Sequence, residues 1–311
     1  MRNKFADAIY EIGKQDPSIC ALVADISPAG SMVAFRNDFP ERFVNCGVAE
    51  QSMIGIAAGM ALRGMRPFCY TIATFSLYRP FEMIRDDLCY QNLPVTVIGM
   101  GAGVIYSTLG GTHHTMEDIA VAGAIPNMTV LAPCDPEEMR LATKWCATES
   151  QGPVYMRLGK AGEPDLTADA VDPFEIGKPR YLKKGDGSLC VLSYGITVAM
   201  AFDIAERYEA ATGGSASIVS MHTIKPIDRD GVAGILADHQ QVCVVEEHVP
   251  HGGLGSRVKE IAWDEKATCE LRAFSLKDEF IHFYGNHQEL LTEHGLEAGR
   301  ISDMLIDAGG A

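Results

Sequence analysis

The chain has 311 residues, 47% of them apolar and 22% charged, which suits two globular domains of ordinary size. Its 26 basic residues against 41 acidic ones leave a formal charge of −15, which excludes nucleic acid and anionic membrane as main partners while permitting a local basic pocket. Nine cysteines lie far apart with no CxxC, so they read as buried, reduced thiols of a cytoplasmic protein, with neither disulfides nor zinc expected. The opening segment MRNKFADAIYEIGKQ carries acids and helical periodicity and does not read as a signal peptide. No apolar run reaches membrane-spanning length.

Short, β-branched apolar runs at 19–24, 66–71, 95–100, 128–133 and 153–158 alternate with amphipathic stretches at 50–63, 77–91 and 135–148. Continuous apolar strands separated by helices predict a parallel sheet covered on both faces. Between 159 and 188 the pattern lapses into Gly, Pro and Asp, a natural boundary. A second series follows, with strands at 189–195, 216–221, 241–247 and 271–276 and helices ending near 212, starting at 229 and following HGGLG. The expected fold is α/β, two domains, each a mostly parallel sheet covered by helices: 1–160, a linker over 161–188, and 189–311. Ligands of open α/β sheets gather at the carboxyl ends of strands. Glu50, the segment Thr74–Phe81, Gly110–His114 and Arg157 all follow such strands.

Glu50 heads an otherwise small and apolar segment, NCGVAEQSMIGIAAGMALRG. A glutamate at a helix N-terminus interacts favourably with the macrodipole, and that alone accounts for most such residues. Phe75, Tyr78 and Phe81 recur at i, i+3, i+6 in TFSLYRPFEMIR, a stripe that serves either a core or the stacking of a flat heterocycle. In GGTHHTMED the glycines allow close backbone approach beside two histidines, a residue type that can change charge near neutrality. The same segment suits helix capping by Thr112 or Thr115 with Glu117 or Asp118 in the first turn. A metal pair is disfavoured, because adjacent residues rarely face one ion. KGDGS at 184–188 reads as a turn before a strand, and the glycines of EEHVPHGGLGS make a weak anion-site signal.

Taken in order and spacing, GVAEQ, TFSLYRPF, GGTHH, VYMRLGK, TIKPID and VEEHVPHGGLGS make the chain similar to the carboxyl-terminal half of transketolase and of deoxyxylulose-phosphate synthase, over essentially all 311 residues. The resemblance implies a pyrimidine-binding domain followed by the small C-terminal domain, and a transferase of two-carbon ketol units dependent on thiamine diphosphate. It implies that Glu50 hydrogen-bonds N1′ of the aminopyrimidine and promotes the imino tautomer that activates C2, its own pKa raised by dry surroundings. Phe75, Tyr78 and Phe81 then bind the pyrimidine, His113 contacts the donor beside the reacting carbon, and Arg2 and Arg157 lie in the phosphate pocket. The small residues behind Glu50 suit a helix at a subunit contact.

The half that holds the diphosphate and its metal in this family is not in the sequence. The resemblance therefore implies one subunit of a split enzyme, with Mg2+ or Ca2+ held by a complementary subunit in an α2β2 assembly. Three positions depart from the family pattern: Ala29 stands for a serine, Gly101 for a histidine, and Leu109 for an aspartate that reads a sugar hydroxyl. A phosphosugar remains an expected substrate class, with a thinned polar code. Two other readings are a β subunit of a 2-oxoacid decarboxylase or dehydrogenase, or acyloin-forming carboligase, and a non-catalytic partner that keeps the fold. AEQSM and GGTHH stand closer to transketolase than to the first, and joint retention of Glu50, the aromatics and His113 argues against the second.

Overall fold

A computed structural model describes residues 1–26, 30 and 32–309. Ala29, one of the three departures, lies outside the described residues. The strands are β1 (Ile19–Val23), β2 (Phe43–Asn45), β3 (Arg66–Ile72), β4 (Thr96–Met100), β5 (Thr129–Leu131) and β6 (Val154–Leu158), then β7 (Arg180–Lys183), β8 (Leu189–Ser193), β9 (Ala216–Ser220), β10 (Thr223–Lys225), β11 (Gln241–Val245) and β12 (Glu270–Phe274). They form a seven-stranded sheet in the order β10-β5-β6-β4-β3-β1-β2 and a five-stranded sheet in the order β12-β11-β8-β9-β7. All pairs are parallel except β10 with β5 and β7 with β9.

Strands β1, β4, β6, β8, β9 and β11 are buried at every residue, which is why they read as mostly apolar runs, Arg157 in β6 being the charged exception. Three strands are not expected from the sequence. β2 and β10 have only three residues each, and β7 lies within the stretch expected to be linker. β7 escapes a hydrophobic reading because one of its inward positions is Arg180, whose guanidinium pairs with buried Glu138 of the first domain at 3.2 Å.

The two sheets are tied together. β10 leaves the second domain to extend the first sheet, and Lys225 at its end donates to the carbonyls of Gly123 and Ile125 that close helix Asp118–Ala124. Glu247, fully buried, accepts hydrogen bonds from the Val104 N–H of the first domain and from His287. Burial works against charge in both partners. The mutual attraction and hydrogen bond, helped at Glu247 by Arg157, nonetheless lower the Glu247 carboxyl and raise the His287 imidazole.

Helix Glu50–Leu62 turns Met53, Ile54, Ala57 and Ala61 into the core. Its Gly55 and Gly59 face outward, with nothing within 4 Å of an added Cβ, and Ile56 and Leu62 are exposed. Gly55 and Gly59 therefore open an outer face and press against nothing in this chain, while the alanines between them pack into the core. The expected helix over 77–91 is displaced and broken: it forms at Ala73–Leu77, turns through Tyr78–Pro80, resumes at Phe81–Met83 and widens to π geometry at Ile84–Tyr90. Pro80 has no N–H to donate to the carbonyl four residues back, so the first helix stops there.

All nine cysteines are free and seven are buried. Asp186 of KGDGS accepts the Ser188 and Ser215 N–H groups, which holds its carboxyl down to about 2 and makes the segment a turn ahead of β8. The glycines of HGGLG are likewise accounted for. The Glu246 carboxylate accepts the Leu254 and Gly255 N–H groups, so the start of helix Leu254–Asp264 already has its anion. No helix among the described residues is long and apolar enough to cross a membrane.

Candidate active site

Glu50 is the first residue of its helix and is 2% exposed. Its two carboxylate oxygens lie 3.1 and 2.9 Å from Nη1 of Arg79. The setting of this acid is dry as expected but not apolar: a guanidinium stands against it, brought there by the turn at Tyr78–Pro80. The same guanidinium lies 4.7 Å from the centre of the Phe75 ring. Phe75, Tyr78 and Arg79 line a cleft of about 740 Å³ with Gly111, His114 and Glu117. Phe81 does not line that cleft. Beyond the helix break it packs on the core of the first sheet. Tyr78 is positioned by its hydroxyl, which donates to Glu117 at 2.9 Å.

The loop after β4 returns to this cleft. Gly101 and Gly103 take φ of +68° and +71°, conformations that side-chain-bearing residues rarely adopt, and Gly103 bridges to Thr115. The Tyr106 ring occupies the space where a Gly101 Cβ would stand, so an aromatic side chain fills the neighbourhood of the expected histidine. Gly110, at φ +75°, accepts the N–H groups of both His113 and His114 and turns the chain. No helix starts here. Thr112 pairs with Nδ1 of His113 at 2.9 Å instead of capping, and the next helix begins at Asp118. The His113 ring stands edge-on to Phe75 at 5.2 Å and to Tyr106 at 6.1 Å. His114 is buried, and burial lowers its imidazole, which keeps it neutral near pH 7. Leu109 is exposed.

Arg157 is held by partners inside the protein. It is 4% exposed, its Nε is 2.9 Å from Oδ2 of Asp118, and its Nη2 donates to the Glu247 carbonyl at 2.8 Å. Asp118, with no exposure, also accepts the Tyr155 hydroxyl at 2.8 Å. The guanidinium is engaged inside the protein and joins the two domains. The cation that does face outward is Lys160, three residues on, with Nζ 5.1 Å from the Tyr106 ring centre. Arg2 stands on the other side: its N–H donates to the Lys160 carbonyl, and its charge opposes the rise that burial imposes on the Tyr106 phenol. A line of contacts therefore runs from Glu50 through Arg79, Phe75, His113 and Tyr106 to Lys160 and Arg2. Sequence reasoning missed Arg79, Tyr106 and Lys160. The available signals were an arginine inside the aromatic segment and a lysine just past a strand end.

An aromatic wall, an acid at its edge and the buried Thr74 hydroxyl without a hydrogen-bond partner fit the aminopyrimidine of thiamine diphosphate. For the metal there is no counterpart: no cluster of three His, Cys, Asp or Glu suited to an ion occurs among the described residues.

Residues 1–162 match the family model of the transketolase pyrimidine-binding domain, and residues 177–301 match that of the transketolase C-terminal domain. An apulose-4-phosphate transketolase subunit from Phocaeicola vulgatus is 33% identical over 306 residues, covering 98% of this chain and 96% of the relative. A 6-deoxy-6-sulfo-D-fructose transketolase subunit from Clostridium sp. strain MSTE9 is 34% identical, with 90% and 85% coverage. Among solved structures, a split-gene transketolase described as an inactive β4 tetramer superposes with a TM-score of 0.86 at 35% identity, covering 99% of this chain and 97% of that one.

Proposed function

The chain belongs to the transketolase family, and we propose that it is the pyrimidine-binding subunit of a split transketolase, transferring a two-carbon ketol unit from a ketose to an aldehyde. The observation that carries this reading is that Phe75, Tyr78 and Arg79 line one cleft while Glu50 bonds Arg79 and His113 packs edge-on to Phe75, in a chain that nearly spans relatives named as transketolase subunits. Thiamine diphosphate, when bound, supplies the carbon nucleophile. Phe75 and Tyr78 hold the aminopyrimidine by stacking. Glu50 carries the shared proton at its carboxylate oxygens, in a setting almost closed to water. His113, braced by Thr112, offers a ring nitrogen to substrate oxygens, and His114 stays neutral behind it.

The diphosphate and its Mg2+ or Ca2+ fall to a complementary subunit, which we place against the open face of helix Glu50–Leu62 in an α2β2 assembly in the cytoplasm. The isolated chain is therefore expected to be inactive and to bind thiamine diphosphate weakly. Calorimetry giving it a micromolar Kd, about −8 kcal/mol, overturns the division of labour.

We assign the substrate's terminal anion to Lys160 and Arg2 rather than to Arg157. Both named relatives act on sugars carrying such a group, a phosphate in one and a sulfonate in the other. A charge-assisted hydrogen bond contributes roughly 1.5–3 kcal/mol, so Lys160→Ala should lower kcat/KM about 10–100-fold on anionic sugars and leave neutral ones near the parent value. Equal losses on both classes remove Lys160 from substrate recognition.

A further inference from the structure

Arg79 occupies two places at once. Its guanidinium bonds both oxygens of Glu50, and it lies over the Phe75 ring, the acid and the aromatic face that the proposed cofactor site offers to an aminopyrimidine. Resting on that reading of Glu50 and Phe75, we propose that Arg79 is a displaceable gate, which holds both groups in the cofactor-free subunit and swings into solvent as the ring docks.

The physics gives each half of this action a reason. Glu50 is 2% exposed, and a carboxylate that far from water is costly to leave unpaired. A guanidinium satisfies it, and stacks on an aromatic face better than an ammonium does. Arg79 itself is 43% exposed, so water competes for its charge and the pair is weak enough to open. Its backbone lies in the turn that ends at Pro80, between two helical pieces, so its side chain can leave without unwinding either. Cofactor affinity is then a competition between an internal cation and the incoming ring, and part of the docking energy goes into displacing Arg79.

The test is titration of thiamine diphosphate with Mg2+ into the reconstituted two-subunit complex, by calorimetry and by stopped-flow fluorescence. Arg79→Gln should bind about 2–5-fold more tightly than the parent, with a faster association rate, because an ion pair exposed on its Arg79 side no longer has to be broken. The advantage should shrink as salt is raised to roughly 0.3 M, which screens the parent's pair. Arg79→Lys, keeping the charge but not the planar fork, should fall between, and it serves as the working variant if Arg79→Gln does not assemble. Phe75→Ala is the control and should weaken binding. If Arg79→Gln binds no tighter than the parent while Phe75→Ala weakens binding, Arg79 is a fixed brace and the gate is wrong. If neither variant alters binding, the cofactor does not dock on this cleft and the site reading falls with the gate.

Discussion

Replacing Glu50 with Gln in the reconstituted enzyme is expected to lower kcat about 10²–10⁴-fold, the usual span for losing a general acid–base group. The amide keeps the volume at the head of helix Glu50–Leu62, and its carbonyl oxygen still accepts from Arg79. It cannot take up and return a proton. The loss should therefore fall on turnover, while assembly with the partner, measured by size-exclusion chromatography with light scattering, stays at the parent level. This separation matters because Glu50 is nearly inaccessible in this chain and a merely structural acid there would be equally buried. A structural glutamate predicts the opposite: poorer folding or assembly, with turnover per assembled complex preserved. A variant within a few-fold of the parent would take Glu50 out of the mechanism, and the proposed reaction would lose its central residue.

Much of the scaffold could be read from residues because a parallel sheet covered on both faces leaves a one-letter signature. Every residue of β1, β4, β6, β8, β9 and β11 is buried, so, Arg157 of β6 apart, each strand is a mostly apolar run with an edge at either end. β7 shows where that signature fails. An edge strand needs only alternate positions buried, and one of its two is Arg180, which pattern reading assigns to the surface. The site divides in the same way. Glu50 and Phe75 come within a few residues of strand ends, and His113 comes back to Phe75 on the loop after β4, so the topology carries them towards one place. Phe81 was legible only on the assumption of one continuous helix, and Pro80 breaks it. The fate of Arg157 was not written in its own neighbourhood, since Asp118, 39 positions away, decides whether that guanidinium is free. Arg79 was hidden for a similar reason, because its role depends on which way a turn throws a long side chain.

Asp118→Ala is expected to be the most destabilising single change in the chain's interior, costing roughly 3–5 kcal/mol, because it leaves a buried guanidinium without its counter-charge. Asp118 has no exposure and Arg157 has 4%, so water cannot take the place of the lost carboxylate. The Tyr155 hydroxyl loses its acceptor in the same stroke. Arg157 keeps its hydrogen bond to the Glu247 carbonyl, its contact with the Tyr194 ring and the field of the Glu247 carboxylate, which makes no hydrogen bond to it. Because that carbonyl belongs to the second domain, the damage should spread across the domain junction, and denaturant unfolding of the chain should begin at a lower midpoint. The double variant Asp118→Leu with Arg157→Leu supplies the sharper measurement. It removes both charges and fills the space with apolar atoms, so it should recover a good part of the stability that Asp118→Ala loses. If Arg157 were a substrate ligand with spare capacity, Asp118→Ala would barely move the unfolding midpoint and would instead raise KM for anionic sugars. Parent-like unfolding of Asp118→Ala would therefore return Arg157 to the substrate pocket and take the anion away from Lys160.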